Sequence, residues 1–232
     1  MTEGEWWSCT PSELRKMLTF LHRKRASTRK VWLFACACCR GIWPLLTDQR
    51  SRASLEAAER YVDYLVPGET LEAAQRDARD AIAESGEIRA LSVMAHRVTL
   101  SEASGNPWAA ASSAFSSLLD PSWRLERFRF TKKMSNGQSR EIFDVSARLR
   151  DIFGPLPFRP LSIDQTVLEW NDRTVQKLAQ AIYDELAFDR VPILGHALEE
   201  AGCDNEEILR YCRGPETHSR GCWCVDLVLG NG

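Results

Sequence analysis

Residues 27–46, STRKVWLFACACCRGIWPLL, decide the fold that the sequence predicts. One set of apolar side chains recurs along this segment at helical spacing, namely Val31, Phe34, Ala35, Cys38 and Ile42. A second set lies on a neighbouring face and comprises Trp32, Cys36, Cys39 and Trp43. A helix that is apolar over this much of its circumference must be covered by other elements, so we expect it at the centre of a helical domain.

Amphipathic periods on both sides of this segment predict further helices. A Thr-Pro start signal followed by apolar residues at helical spacing predicts a helix over residues 11–24, and the same spacing predicts helices over 48–66 and 69–84. Near the C-terminus, Asp204 with Glu207 three positions later predicts the N-cap of a short helix. We therefore expect a mainly α protein built as a multi-helix array or bundle.

Residues 122–140 interrupt the helical pattern. Apolar and charged residues alternate there, and the turn-forming pair Asn136-Gly137 follows. The pattern predicts either a short β-hairpin or a mobile insert.

Three prolines within FGPLPFRPL, residues 153–161, mark the expected domain boundary. We expect a helical domain over 1–153 and a Pro-rich linker over 154–162. A C-terminal helical segment over 163–232 then follows, and we expect it to pack on the N-terminal helices.

The composition is that of a globular protein. The chain has 232 residues, of which 44% are hydrophobic and 27% charged, with a formal net charge of -2, and this excludes wholesale disorder. The first residues do not resemble a secretory signal, and the longest apolar run, residues 31–39, is about half the length that a membrane span needs. We expect a cytoplasmic protein, and its eight cysteines are then expected to stay reduced.

A pair of cysteines at helical spacing suggests a metal site. Cys36 and Cys39 are three positions apart on one helix, and Cys212 with either Cys222 or His218 would complete the four ligands that zinc prefers. Such a site would join the two ends of the chain. The alternative is that these cysteines are core residues, because buried reduced cysteines behave as small hydrophobes.

The stretch CRGPETHSRGCWCVD, residues 212–226, offers two further chemistries. Arg213 and Arg220 alternate with glycines and can donate to a carboxylate or phosphate, or else form ion pairs with the acidic segment 184–207. Separately, this stretch contains the residue types needed for cysteine catalysis, namely Cys212 or Cys222 with His218 and Asp226. No nucleophile or oxyanion motif accompanies them, so the sequence favours a protein that is not an enzyme.

Charge is unevenly distributed along the chain. Basic residues concentrate between residues 15 and 30, and acidic residues concentrate between 184 and 207. The two segments are either solvated faces that attract each other or, for the basic one, a nucleic-acid-binding surface.

Three stretches together carry a family resemblance: KVWLFACACCRGIW, WNDRTVQKLAQAIYDELAFDRVPILGHALEEAGCDNEEIL and CRGPETHSRGCWCVDLVLG. They resemble a large set of paralogous proteins of planctomycete-type bacteria, which share FACACCR near the N-terminus and CRGPxxHxRGCW near the C-terminus. The resemblance implies a cytoplasmic bacterial protein with a constant frame and a variable middle, residues 86–150 here, and it implies no activity. The chain departs from the pattern at Cys224, where an aliphatic residue is expected.

A constant frame with a variable middle favours a helical partner-binding or scaffold protein whose partner is another protein. Aromatic and arginine side chains dominate interface hot spots, and the middle region is rich in both. The candidate contact residues are Trp108, Phe115, Trp123, Arg127, Phe128, Arg129 and Phe130. Structural zinc and nucleic-acid binding through residues 15–30 are the alternatives.

Overall fold

The computed structural model describes residues 1–10, 13–41, 43, 46–84, 108, 111, 131–133, 139–141 and 144–231. Over these residues the protein is mainly α-helical, which confirms the expected fold class. The elements are α1 Glu3–Ser8, α2 Leu14–Arg23, α3 Thr28–Gly41, α4 Gln49–Val62, α5 Gly68–Glu84, β1 Thr131–Lys133, β2 Ser139–Glu141, α6 Val145–Phe153, α7 Gln165–Asp184, α8 Val191–Glu200, α9 Glu206–Arg213 and α10 Trp223–Leu229.

The chain divides into two compact units. The terminal unit combines Met1–Cys9 with Arg148–Gly232, and the central unit is Thr10–Ala147. The division therefore falls inside α6, and the proline-rich residues 154–162 lie within the terminal unit. These prolines form consecutive turns there, in which the N–H of Phe158 donates to the carbonyl of Pro155 at 2.9 Å.

The central unit is built on α3, which is buried from Lys30 to Cys39 as its apolar circumference predicted. Ion pairs fix α3 to α4. Arg40 Nη2 lies 2.6 Å from Glu59 Oε2, whose side chain is enclosed, and Arg29 Nε lies 2.8 Å from Asp63 Oδ1. Because both carboxylates are mostly removed from water, each depends on its arginine partner.

Helices α4 and α5 form an antiparallel pair joined by residues 63–67. The connection is short because Tyr64 adopts a left-handed conformation with φ of 58°. Arg50 at the start of α4 reaches Glu84 at the end of α5, with 2.8 Å between Nη2 and Oε2. The short strands β1 and β2 of this unit pair antiparallel, with Lys132 opposite Arg140.

The terminal unit recruits α1 from the other end of the chain. Trp6 is fully buried and meets Phe158 edge to face, with ring centroids 5.9 Å apart. Arg150 Nη1 donates to the carbonyl of Cys9 at 3.0 Å. Arg159 forms ion pairs with both Glu3 and Glu207. A short helix that would be unstable alone is therefore held by a buried aromatic contact and two arginines.

The long helix α7 is interrupted one and a half turns after its start. Asn171, Asp172 and Arg173 have φ of 45°, 56° and 61°, which is the left-handed region. Beyond this break α7 contributes Val175 and Ile182, both fully buried, to the core that it forms with α8, α9 and α10.

One prediction about the C-terminal helices is corrected. The N-cap of α9 is Asn205 and not Asp204, because Asn205 has the extended conformation and its Oδ1 accepts from the N–H groups of Glu207 and Ile208. The last helix, α10, is capped at its C-terminus by Gly230, which has φ of 73°.

Within the described residues, no helix has both the length and the apolar character required to cross a bilayer.

A close contact between α6 and α10 yields a stability prediction. Gly154 has φ of 50°, and a Cβ placed on it would lie 2.5 Å from Cδ1 of the buried Trp223 ring. Gly154→Ala must therefore both strain the backbone and displace the indole, and we expect a loss of about 2–4 kcal/mol in the free energy of unfolding. Chemical denaturation monitored by tryptophan fluorescence measures the loss.

Gly202→Ala is the matched control for this substitution. Gly202 has φ of 92°, but a Cβ there would meet no heavy atom within 4 Å. Gly202→Ala should therefore lower the free energy of unfolding by only about 1 kcal/mol, the conformational cost of the substitution. Equal losses in the two variants would show that the contact with Trp223 contributes nothing.

Candidate metal centre

Three segments of the terminal unit bring a carboxylate, an imidazole and a thiol together. Asp151 lies near the end of α6, His218 lies in the loop between α9 and α10, and Cys222 is the N-cap residue of α10. The loop is fixed to α6 by Arg148, whose Nη1 donates to the carbonyl of Thr217 at 2.7 Å. Gly221, with φ of 83°, supplies the turn that directs the chain into α10.

The Asp151 carboxylate is the centre of a hydrogen-bond network. Its Oδ1 accepts from the hydroxyl of Tyr211 at 2.5 Å and lies 3.0 Å from Nδ1 of His218. Its Oδ2 accepts from the hydroxyl of Ser219 at 2.6 Å. The residue is buried, so these contacts replace the water that a carboxylate would otherwise bind.

His218 has one ring nitrogen in use and one without a hydrogen bond. Nδ1 faces Asp151, whereas Nε2 is buried and makes no hydrogen bond within the described structure. The ring lies against Tyr211, with centroids 4.7 Å apart. A buried imidazole nitrogen without a partner is costly, and a ligand of this nitrogen would remove the cost.

Cys222 completes the cluster. One ligand atom from each of Asp151, His218 and Cys222 lies within 4.8 Å of the other two, and all three residues are buried. Burial raises the pKa of the Cys222 thiol well above its usual value, and the charge of Asp151 raises it further. Cys222 is therefore a neutral thiol at neutral pH in the metal-free protein.

The pKa of Tyr211 is also raised, first by burial and then by the neighbouring Asp151 charge. The phenol therefore remains protonated and acts as a hydrogen-bond donor to the carboxylate. The two pKa shifts share the same two causes, burial first and the negative charge of Asp151 second.

The arrangement suits metal binding better than nucleophilic catalysis. A catalytic cysteine needs a lowered pKa and access for a substrate, but Cys222 is fully buried and its pKa is raised. The choice of Asp226 as the carboxylate that orients the His218 imidazole was also wrong, because Asp151 faces Nδ1 of His218. A metal ion needs only the donor atoms, which it deprotonates on binding.

The predicted zinc ligands fall into both units. Cys36 and Cys39 are buried in α3 of the central unit, whereas Cys212, His218 and Cys222 lie in the terminal unit. Zinc ligation that joins the two ends of the chain stays a prediction. Within the terminal unit, Cys222 and His218 do lie together, and Cys212 instead contacts Cys224, with 3.3 Å between the two Sγ atoms.

The arginines predicted for anion binding have contacts within the chain. Arg213 forms an ion pair with Glu199, which lies in the acidic segment. Arg220 is buried, and its guanidinium lies 4.5 Å from the centre of the Tyr183 ring. An anion would have to compete with these contacts.

The predicted partner surface is mostly beyond the described structure. Trp108 is half-buried and meets His22 edge to face, with ring centroids 4.8 Å apart. The remaining candidates lie outside the described residues: Phe115, Trp123, Arg127, Phe128, Arg129 and Phe130. Protein binding through this region stays a prediction, and so does nucleic-acid binding through residues 15–30.

Sequence reasoning missed Asp151. The sequence carries no local signal for it, because Asp151 lies away from the apolar stripe of Val145, Leu149 and Ile152 when the segment is drawn as a helix. The partners lie 60 and 67 positions away, at Tyr211 and His218.

Comparison with protein-family models, with curated proteins and with solved structures gave no match for this chain. The function is therefore argued from the site itself.

The Asp151 network gives a second stability prediction. Asp151→Asn keeps the size of the side chain but replaces one acceptor oxygen with a donor that faces other donors. We expect a loss of about 2–4 kcal/mol in the free energy of unfolding. The control is Asp204→Asn, an exposed acid in the same unit, which should change stability by less than about 0.5 kcal/mol. Similar small effects in both variants would show that the network is not a stabilising feature.

The raised pKa of Cys222 predicts a loss of stability at alkaline pH. The unfolded chain releases the thiol proton near the usual pKa of 9.0, whereas the folded chain retains it to higher pH. The stabilising contribution is therefore present below pH 9 and is lost as the pH rises through the folded-state pKa. Denaturant unfolding at several pH values with chelator and reductant measures it.

Cys222→Ala isolates the thiol in this experiment. Above pH 9 the free energy of unfolding of this variant should fall less steeply with pH than that of the unmodified protein. The two slopes should differ by up to about 1.4 kcal/mol per pH unit. Identical slopes would contradict the assignment of a raised pKa to this thiol.

Proposed function

We propose that this chain is a metal-binding protein whose terminal unit holds a zinc ion with Asp151, His218 and Cys222. The observation that carries the proposal is the convergence of three donor atoms, from three separate segments, within 4.8 Å of one another in a buried site.

The donor set argues for zinc among the common metal ions. Calcium and magnesium prefer oxygen ligands only, whereas zinc accepts carboxylate oxygen, imidazole nitrogen and thiolate sulfur. The thiol of Cys222 therefore disfavours the hard cations. Three protein donors leave one position of a tetrahedral zinc ion for a further ligand, such as water.

Burial argues for a structural role. A bound ion would tie α6, the loop that carries His218, and the start of α10 to a single point. Its positive charge would also offset the buried carboxylate and replace the proton of the Cys222 thiol. The ion would thereby offset the concentrated negative charge that makes the metal-free site costly.

The hydrogen bonds of the metal-free site compete with the ion. Asp151 already accepts from Tyr211 and Ser219, and the Cys222 thiol must lose a proton of raised pKa before it can coordinate. Affinity for zinc should therefore rise with pH. Binding should release about one proton from the thiol, which calorimetry in buffers of different ionisation enthalpy detects.

The decisive experiment compares zinc uptake by matched variants. Chelator-treated, reduced protein should bind about one zinc ion per chain at this site and unfold at a higher temperature when loaded. His218→Gln and Cys222→Ala should each lower the affinity at least about tenfold. Their controls are His196→Gln, which alters an exposed histidine, and Cys203→Ala, which alters a half-buried cysteine, and both should bind zinc normally.

Cobalt provides a readout that does not depend on stability. Co(II) in the same site should show a thiolate charge-transfer band that disappears in Cys222→Ala and persists in Cys203→Ala. Absence of zinc uptake by the folded protein, or uptake that is unchanged in His218→Gln and Cys222→Ala, would overturn the proposal.

A further inference from the structure

A pair of thiols lies beside the candidate metal centre but takes no part in it. Cys212 is in the last turn of α9 and Cys224 is in the first turn of α10, and their Sγ atoms are 3.3 Å apart. Both residues are fully buried. A disulfide bond is about 2.05 Å long, so the two sulfur atoms would have to approach by roughly 1.3 Å to bond.

The backbone around Cys212 leaves little room for any larger group. A Cβ placed on Gly195 of α8 would lie 2.7 Å from Cβ of Cys212, so the α8 backbone covers this side chain directly. A bulky adduct on Cys212 cannot remain there without moving α8. A bond to the neighbouring Cys224 adds no atoms and even removes two hydrogens.

A third thiol of the terminal unit is closer to the surface than this pair. Cys203 follows the end of α8, where its N–H donates to the carbonyl of Leu198 at 2.9 Å, and it is half-buried rather than enclosed. Burial raises the pKa of Cys203, and the charges of Asp204 and Cys212 raise it further. The raised pKa makes Cys203 a weak nucleophile, so we assign it no part in the reaction of the pair.

We propose that Cys212 and Cys224 form a site of reversible thiol oxidation, in which a small-molecule disulfide is reduced to two thiols and the product is the Cys212–Cys224 disulfide. The proposal is independent of metal binding. It rests on the distance between the two buried sulfur atoms and on the close packing at Cys212, which leaves room for a bond to Cys224 but not for a larger group.

The reaction proceeds by two thiol–disulfide exchanges, which follow local opening around the buried pair. One sulfur of the pair attacks the small disulfide, forms a mixed disulfide and releases one small thiol. The other sulfur of the pair then attacks this mixed disulfide and releases the second small thiol. The two electrons and two protons lost by Cys212 and Cys224 are gained by the small disulfide, which becomes two thiols, and no other reactant is needed.

The Cys212–Cys224 disulfide would close a loop that carries two of the proposed metal ligands. The segment between the two cysteines, residues 213–223, carries both His218 and Cys222. A bond between its ends would restrict this loop in the unfolded chain as well as in the folded one.

The test uses the full-length, reduced, metal-free protein and oxidised glutathione as the oxidant. After oxidation the protein is acid-quenched, alkylated while denatured, and weighed intact. We expect two of the eight cysteines to escape alkylation, with no glutathione retained. Trypsin should then release Tyr211–Arg213 joined to residues 221–232, and fragmentation should place the bond at Cys224 rather than Cys222.

Variants in which one cysteine is replaced test which thiols form the disulfide. Cys224→Ala should abolish the disulfide, whereas Cys9→Ala should behave as the unmodified protein. Cys203→Ser should still form the same disulfide, since Cys203 takes no part in the exchange. Eight alkylated cysteines after prolonged oxidation, or a bond between any other pair in the unmodified protein, would overturn the proposal even if a variant failed to fold.

Discussion

Asp151 holds a carboxylate in the interior of the terminal unit, where an unpaired charge would be costly. The cost is offset by donors from two other segments, the Tyr211 hydroxyl of α9 and the His218 and Ser219 side chains of the following loop. Because these donors must converge on one carboxylate, the end of α6, the last turn of α9 and the loop have fixed relative positions. A single buried acid therefore specifies how this part of the chain is arranged.

The same charge determines the chemistry of the sulfur atoms nearby. It adds to burial in raising the pKa of Cys222, so this thiol stays protonated and unreactive toward solvent. A metal ion overcomes both effects because it supplies positive charge and replaces the proton. The proposed oxidation of Cys212 and Cys224 would use a different property, their direct contact, and needs no net charge in the product. The two proposals thus place two metal ligands and the oxidisable pair in one short segment, residues 212–224.

The two ends of the chain meet in the terminal unit. Arg150 donates to the carbonyl of Cys9 across 141 positions, and Arg159 reaches Glu3 across 156. The residues from Thr10 to Ala147 form a second unit with its own buried helix, α3. The proline-rich residues near 155 are not spacers in this arrangement, since Phe158 and Arg159 supply contacts that hold α1.

Local patterns were sufficient to predict the helices of the central unit from α2 to α5. Periodicity located α2, α3, α4 and α5, because an amphipathic or wholly apolar helix shows its buried face in the spacing of its own residues. The N-cap of α9 was misplaced by one residue, since Asp204 and Asn205 are both good capping residues and only the backbone conformation distinguishes them. Two of the three residues of the candidate site were predicted, Cys222 and His218, and Asp151 was missed.

The sequence by itself determined the helical class, the central position of α3 and the presence of reactive residue types near the C-terminus. These properties depend on residues within a few turns of one another, or on composition. The tertiary structure decided which residues meet: Asp151 with His218 rather than Asp226, and Cys212 with Cys224. Such contacts depend on the packing of α6, α9 and α10, and helix packing is set by the shapes of whole surfaces that no local spacing records.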